Sequence, residues 1–261
     1  MKIAFVFPGQ GSQSVGMMAG FDAHPAIRST FDEASDVLEQ DLWALVTTGP
    51  EADLNQTVNT QPVMLTAGVA VWRAWNDASG AKPEIVAGHS LGEYTALVAA
   101  GAIAFGDALP LVRYRAQAMQ EAVPAGLGAM AAILGLDAAA VAAVCADTVA
   151  KIGSERVVEP VNFNGPEQIV IAGHKDAVEA AIDLATEKGA KRGVLLPVSA
   201  PFHSSLMRPA AEKLATKLAS VPIAPPVIPV RSFAMRRRMH RLAFCLQAAR
   251  TRRSPIRSEQ C

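Results

Sequence analysis

The pentapeptide Gly88-His89-Ser90-Leu91-Gly92 sets a serine between two glycines. A short strand-like run, Glu84 to Gly88, precedes it, and an apolar, helix-length stretch, Leu91–Ala104, follows. In that context a G-x-S-x-G reads as a nucleophile elbow. The glycines permit a sharp turn that pushes the hydroxyl out at the carboxyl edge of a sheet. The helix behind it offers free N–H groups and a positive dipole end to a developing oxyanion. The plainer reading is a tight strand-to-helix turn with a capping serine.

A serine hydroxyl needs a base. The chain has five histidines: His24, His89, His174, His203 and His240. His24 precedes a helix-opening proline and His174 sits in a turn, so both suit surface or capping roles. His89 adjoins Ser90 and supports the turn, and His240 lies in a tail of unusual composition. His203 remains, in the Pro-punctuated loop Ser199-Ala200-Pro201-Phe202-His203-Ser204. It reads either as the base or as a satisfied loop histidine. Arg115 lies mid-helix among Leu111, Val112 and Met119, where an unpaired guanidinium is expensive. Its planar fork suits a carboxylate, from the protein or from a substrate. Pro8-Gly9-Gln10-Gly11-Ser12-Gln13 is a Gly-rich loop after a strand. It lacks the Gly-Lys-Ser/Thr of a phosphate-binding loop, and reads as backbone donors at a site or as an ordinary turn.

The elements that must position these residues are legible from apolar spacing. Strands are expected at Lys2–Phe7 and Glu84–Gly88. Helices are expected from Pro25, with Ile27, Phe31, Ala34 and Leu38 on one face, and from Pro62 through Val63–Trp75. Further helices follow at Leu91–Ala104 and Gly106–Val123. From Gly126 the pattern becomes strand Ala129–Leu134, helix Asp137–Ala146, strands Val157–Asn162 and Gln168–Ala172, helix Lys175–Lys188 and strand Gly193–Val198. That βαββαβ order is the split βαβ of ferredoxin-like domains. It reads as a small domain, 125–198, inserted into a larger α/β domain made of 1–124 and 199–230. The larger domain resumes with a helix at Leu206–Ser220, and the Pro-rich run 221–229 leads back to the main sheet.

The chain has 261 residues with 24 basic and 24 acidic side chains, and 51% are hydrophobic. That is too apolar for a disordered chain. The opening apolar run stops at Pro8, too short for a signal-peptide core, and the Ala-rich stretch Gly128–Ala150 is broken by Asp137 and Asp147. Three widely spaced cysteines, Cys145, Cys245 and Cys261, fit neither a disulfide framework nor a metal site. A cytoplasmic protein without a metal or a membrane anchor is expected. The neutral total hides a seam: residues 231–261 hold nine arginines, no lysine, one acid, Glu259, and none of the 19 glycines.

Taken together, five segments resemble malonyl-CoA:acyl carrier protein transacylases, in family order over residues 1 to about 230. They are Phe7–Gln13, Gly88–Tyr94, Arg115 with Met119–Ala122, Asn162–Pro166 and Phe202–Met207. The resemblance implies a hydrolase-like α/β domain with a ferredoxin-like insert. It also implies transfer of malonyl from coenzyme A to the phosphopantetheine thiol of acyl carrier protein through a seryl ester, in fatty acid biosynthesis. By the same resemblance Ser90 is the nucleophile and His203 its base. Backbone N–H groups of Gln10 and Leu91 form the oxyanion hole, and Arg115 holds the malonyl carboxylate. Gly9, His89, Asn162 and Phe202 border the substrate, with Phe202 marking malonyl over methylmalonyl. No bound cofactor, nucleic acid or membrane is implied, and a monomer is expected. The resemblance stops at about Val230, where a reading-frame change that replaced the C-terminus is one explanation. Three other readings stay open: a serine thioesterase or hydrolase, whose acid could come only from Asp107, Asp137, Asp147, Asp176 or Asp183; a catalytically impaired acyltransferase; and a nucleic-acid role for the Arg-rich tail, which has the charge for phosphate contacts but no recognisable module.

Overall fold

The computed structural model describes residues 2–21, 23–79 and 81–232. The readings that fall on 233–261, including His240, Cys245 and Cys261, lie outside the described residues. The described chain divides into two compact units, residues 2–117 with 215–232, and residues 118–214.

The first unit is built on a parallel sheet of β1 (Ala4–Phe7), β2 (Ile85–Gly88) and β7 (Val230–Ser232), in the order β1-β2-β7. Phe7 pairs with Gly88, and Gly88 with Ser232. Arg231 and Ser232, beyond the change in composition, therefore join the strand that Val230 begins. The Pro-rich run reaches this sheet as expected: Ala224 and Val227 donate backbone N–H groups to Ala102 and Ala100, and Val86 donates to Pro229. Around the sheet lie α1 (Pro25–Leu38), α2 (Leu42–Thr48), α3 (Glu51–Leu54), α4 (Thr57–Ser79), α5 (Gly92–Ala99) and α6 (Phe105–Glu121), the last running on into the second unit. The helix α1 shows why its sequence folds this way. His24 accepts from the Ala26 N–H through Nδ1, Pro25 occupies the first turn, and Ile27, Phe31, Ala34 and Leu38 are buried along one stripe. Phe5 packs edge-on against Trp72 and Trp75, joining β1 to α4.

Several elements differ from expectation, three of them near the sheet of the first unit. The helix α4 starts at Thr57, so Pro62 sits inside it rather than at its head. Proline there loses one backbone bond and crowds the preceding turn. Burial of Val63, Leu65, Val69 and Ala70 on this helix outweighs that local penalty. The expected helix Leu91–Ala104 stops at Ala99, because Gly101 takes a left-handed conformation, φ 69°. The short α2, capped by Asp41 accepting from the Ala44 N–H, has no counterpart among the expected helices, since its seven residues are too few to show a period.

The second unit holds β3 (Gly128–Leu134), α7 (Ala138–Ile152), β4 (Val158–Gly165), β5 (Gln168–His174), α8 (Lys175–Glu187), β6 (Arg192–Leu195) and α9 (Arg208–Leu218), the last ending in the first unit. Its four-stranded sheet runs β4-β5-β3-β6 with every neighbouring pair antiparallel. On one face α7 and α8 bury Val141, Val144, Val178 and Leu184 against Ala131, Ile133, Ile169 and Ile171. This unit is wider than the 125–198 insert read from the element order. The reason is its other face, where Met130, Val161, Val170 and Ala172 share a core with Met119, Val123, Phe202, Met207 and Ala210. His24 and His174 play structural parts: the His174 Nδ1 accepts from the Val157 N–H at 2.9 Å.

The core of the first unit gives a direct stability test. Phe31 is fully buried and meets Trp43 edge-on at 5.3 Å between ring centroids, whereas Val37, on the same helix, is 42% exposed. Phe31→Ala is expected to lower the unfolding free energy by about 3–5 kcal/mol. Val37→Ala should stay within about 0.5 kcal/mol. Urea unfolding of the two variants checks the contrast.

Candidate active site

Because β1 and β2 are parallel neighbours, the loops that leave their carboxyl ends lie side by side. The His89 N–H donates to the Phe7 carbonyl, extending the strand pairing by one residue into the turn. There Ser90 takes a left-handed backbone, φ 52°, which a non-glycine residue adopts at some strain. The flanking glycines show what holds it. A Cβ on Gly88 would lie 1.9 Å from the Gly92 carbonyl oxygen, and one on Gly92 would lie 2.1 Å from that of Phe7. Gly9 is equally constrained, 2.6 Å from the His89 carbonyl oxygen by the same measure. Backbone thus packs on backbone at three points, and no side chain fits. Behind Ser90, α5 begins at Gly92, and its first turn is closed by Glu93 N–H to Ser90 and Tyr94 N–H to Leu91. Ser90 thus stands on a sharp, backbone-packed turn between a strand and a helix.

Arg115 projects from α6 to the same serine. One guanidinium nitrogen, Nη2, donates to the Ser90 Oγ at 3.1 Å, and the other, Nη1, donates to the Gln61 Oε1 at 2.7 Å. Its fork stands 5.6 Å from the centroid of the Tyr94 ring. The residue is 5% exposed and Gln61 1%. Burial pulls the guanidinium below its usual pKa, and the nearby Tyr94 and Glu93 offset part of that effect. Among the described residues no carboxylate lies within ion-pair distance of Arg115. A buried cation whose hydrogen bonds run to neutral acceptors has the chemistry to receive an anion.

Gln10, in the loop after β1, donates through Nε2 to the Thr57 Oγ1 at 3.1 Å. Thr57 and Gln61 are four residues apart, on one face of the first turns of α4. That face therefore holds both the loop after β1 and the fork of Arg115. Sequence reasoning missed Thr57 and Gln61, because Pro62 placed the start of the helix after both. The available signal was the pair of polar residues at helical spacing just ahead of an apolar run.

The first unit holds Gly9, Gln10, His89, Ser90, Leu91 and Arg115, and the second holds Asn162, Phe202 and His203. His203 also has a left-handed backbone, φ 68°, in a turn where the Ser204 hydroxyl donates to the Pro201 carbonyl at 2.7 Å. Phe202 is buried in the core described above, and Asn162 is 8% exposed on β4, beside an irregularity in its pairing with β5. Several acids that a hydrolase triad could use are otherwise engaged. Asp137 caps α7, Asp147 pairs with Lys188, and Asp176 pairs with Arg156 at 2.8 Å. Among the described residues no cluster of three or more His, Cys, Asp or Glu could hold a metal ion. None of the helices there is long and apolar enough to cross a membrane.

Comparison with known proteins gives the family. The acyl transferase domain family matches residues 4–260. The chain belongs to this family. The malonyl CoA-acyl carrier protein transacylase of Salmonella typhimurium is 54% identical over 230 residues, covering 88% of this chain and 73% of that protein. The Bacillus subtilis protein of the same name is 51% identical over 232 residues, 88% and 72% of the two chains. Among solved structures, the acyl-carrier-protein S-malonyltransferase of Burkholderia pseudomallei is 60% identical with a TM-score of 0.87, over 94% of this chain and 79% of that one. A type II PKS acyl-carrier protein in complex with its malonyl-transacylase matches with a TM-score of 0.88 at 47% identity, over 98% and 82%.

The packed elbow of this acyl transferase domain can be probed by stability alone. Gly92→Ala forces a Cβ onto the Phe7 backbone and is expected to cost about 1–3 kcal/mol. Gly106→Ala, in α6 with open space around the new methyl, should instead stabilise by about 0.5–1 kcal/mol. Thermal unfolding of the pair separates close backbone packing from a general intolerance of substitution.

Proposed function

We propose that this chain transfers malonyl from malonyl-CoA to the phosphopantetheine thiol of acyl carrier protein. The observation that carries the reading is a buried guanidinium, without a carboxylate partner among the described residues, hydrogen-bonded to the serine of a nucleophile elbow. The names of its relatives, and the neighbour seen with an acyl-carrier protein, support the same substrate and acceptor.

In this reading the Ser90 hydroxyl attacks the thioester carbonyl of malonyl-CoA while His203 takes its proton. Backbone N–H groups of Gln10 and Leu91 receive the oxyanion, which forms beside the start of α5. Collapse of the tetrahedral intermediate breaks the carbon–sulfur bond, and the coenzyme A thiolate leaves with the proton from His203. The carrier thiol then attacks the seryl ester by the reverse sequence, restoring Ser90. Arg115 holds the malonyl carboxylate throughout, so an acetyl group leaves the fork unpaired and is disfavoured. Gly9 and His89 shape the turn beside the acyl group, and Asn162 and Phe202 border it, Phe202 restricting branching next to the thioester. Both half-reactions are acyl substitutions, so neither needs a metal or a redox group. The two units are read as a hydrolase-like α/β domain and a ferredoxin-like insert, the latter supported by its antiparallel β4-β5-β3-β6 order. The protein is placed in the cytoplasm, as a monomer.

Intact-mass measurement after mixing the protein with malonyl-CoA tests the reaction. One malonyl adduct is expected, absent from Ser90→Ala. Arg115→Ala should lower the rate of malonyl loading by about 10²–10⁴-fold while changing acetyl loading far less. No adduct on folded protein would instead identify a catalytically impaired member of the family. Release of free malonate without a carrier would favour a hydrolase.

A further inference from the structure

We propose that Gln61 is a specificity-determining positioning residue: its neutral side-chain carbonyl fixes the fork of Arg115 while leaving the charge available to a substrate carboxylate. The inference rests on the reading of Arg115 given above and extends it to the residue behind the arginine.

The geometry separates two jobs within one guanidinium. Nη1 is held by the Gln61 Oε1 at 2.7 Å, and Nη2 reaches the Ser90 Oγ at 3.1 Å. A long arginine side chain has many rotamers, and an arm held at 2.7 Å by a fully buried partner removes that freedom before substrate arrives. The partner is itself fixed, because Gln61 lies in α4 one turn beyond Thr57, which holds the loop of Gln10. What matters next is that the acceptor is an amide. A carboxylate in its place would form a buried ion pair with Arg115 and neutralise the charge. A malonyl carboxylate would then enter beside a like charge, at a cost that acetyl does not bear. An apolar side chain would leave the charge intact but the fork unheld. Glutamine avoids both outcomes, and the selectivity for a carboxylate-bearing acyl group thereby depends on a residue that need not touch it.

The test uses Gln61→Glu, nearly the same shape with a charge, and Gln61→Met, nearly the same volume with no acceptor. Malonyl-CoA and acetyl-CoA compete in one reaction, and the two seryl esters are counted by mass. The ratio of esters does not depend on how much of each preparation is folded, so partial misfolding leaves the readout intact. The malonyl-to-acetyl ratio is expected to fall by about 10²-fold in Gln61→Glu and by about 10-fold in Gln61→Met. Ratios equal to that of the unsubstituted protein, even with both rates reduced, would overturn the proposal and leave Gln61 a structural residue. Absence of malonyl preference in the unsubstituted protein would overturn the functional reading itself, and this one with it.

Discussion

A guanidinium taken out of water, with no carboxylate at ion-pair distance among the described residues, is the constraint around which the first unit is arranged. Arg115 would destabilise this interior if it were unsupported. The chain supports it with neutral groups: an amide oxygen, a hydroxyl and the face of Tyr94. Each partner comes from a different element, α4, the turn after β2, and α5. The position of the charge therefore fixes the three elements relative to one another. It also leaves the fork within hydrogen-bond reach of the Ser90 hydroxyl, where an anion could approach.

The serine is presented by an equally local device. Parallel pairing of β1 with β2 puts two loops at one sheet edge, and glycine at positions 9, 88 and 92 lets backbone press against backbone there. The left-handed Ser90 is the outcome, since a looser turn would not need it. Strain at Ser90 and the buried charge beside it are thus two parts of one arrangement, both maintained by close packing around β1, β2, α4 and α5.

Much of this was legible in the residues. The elbow follows from two glycines around a serine between an apolar strand and an apolar helix, and Arg115 from a charge in an apolar helix. The stripe of α1 followed from its helical spacing, and the βαββαβ order from apolar runs alternating with turn residues. Pro62 misled, since its local effect on a helix is read from sequence while the burial that overrides it is not. That single shift hid Gln61, whose significance lies in a contact 54 positions away along the chain. The breadth of the second unit was hidden for a related reason: Met119, Phe202 and Met207 look like parts of flanking helices and loops until the sheet they cover is present.

In the function proposed above, Arg115 stores an affinity for a carboxylate. The most direct measurement is calorimetric binding of malonyl-CoA and acetyl-CoA to Ser90→Ala, which cannot form the ester and so reports recognition without chemistry. Tighter binding of malonyl-CoA by about 10-fold or more is predicted, with the difference abolished by adding Arg115→Ala. Equal affinities for the two thioesters would contradict the account, because the buried charge would then have no part in choosing the substrate.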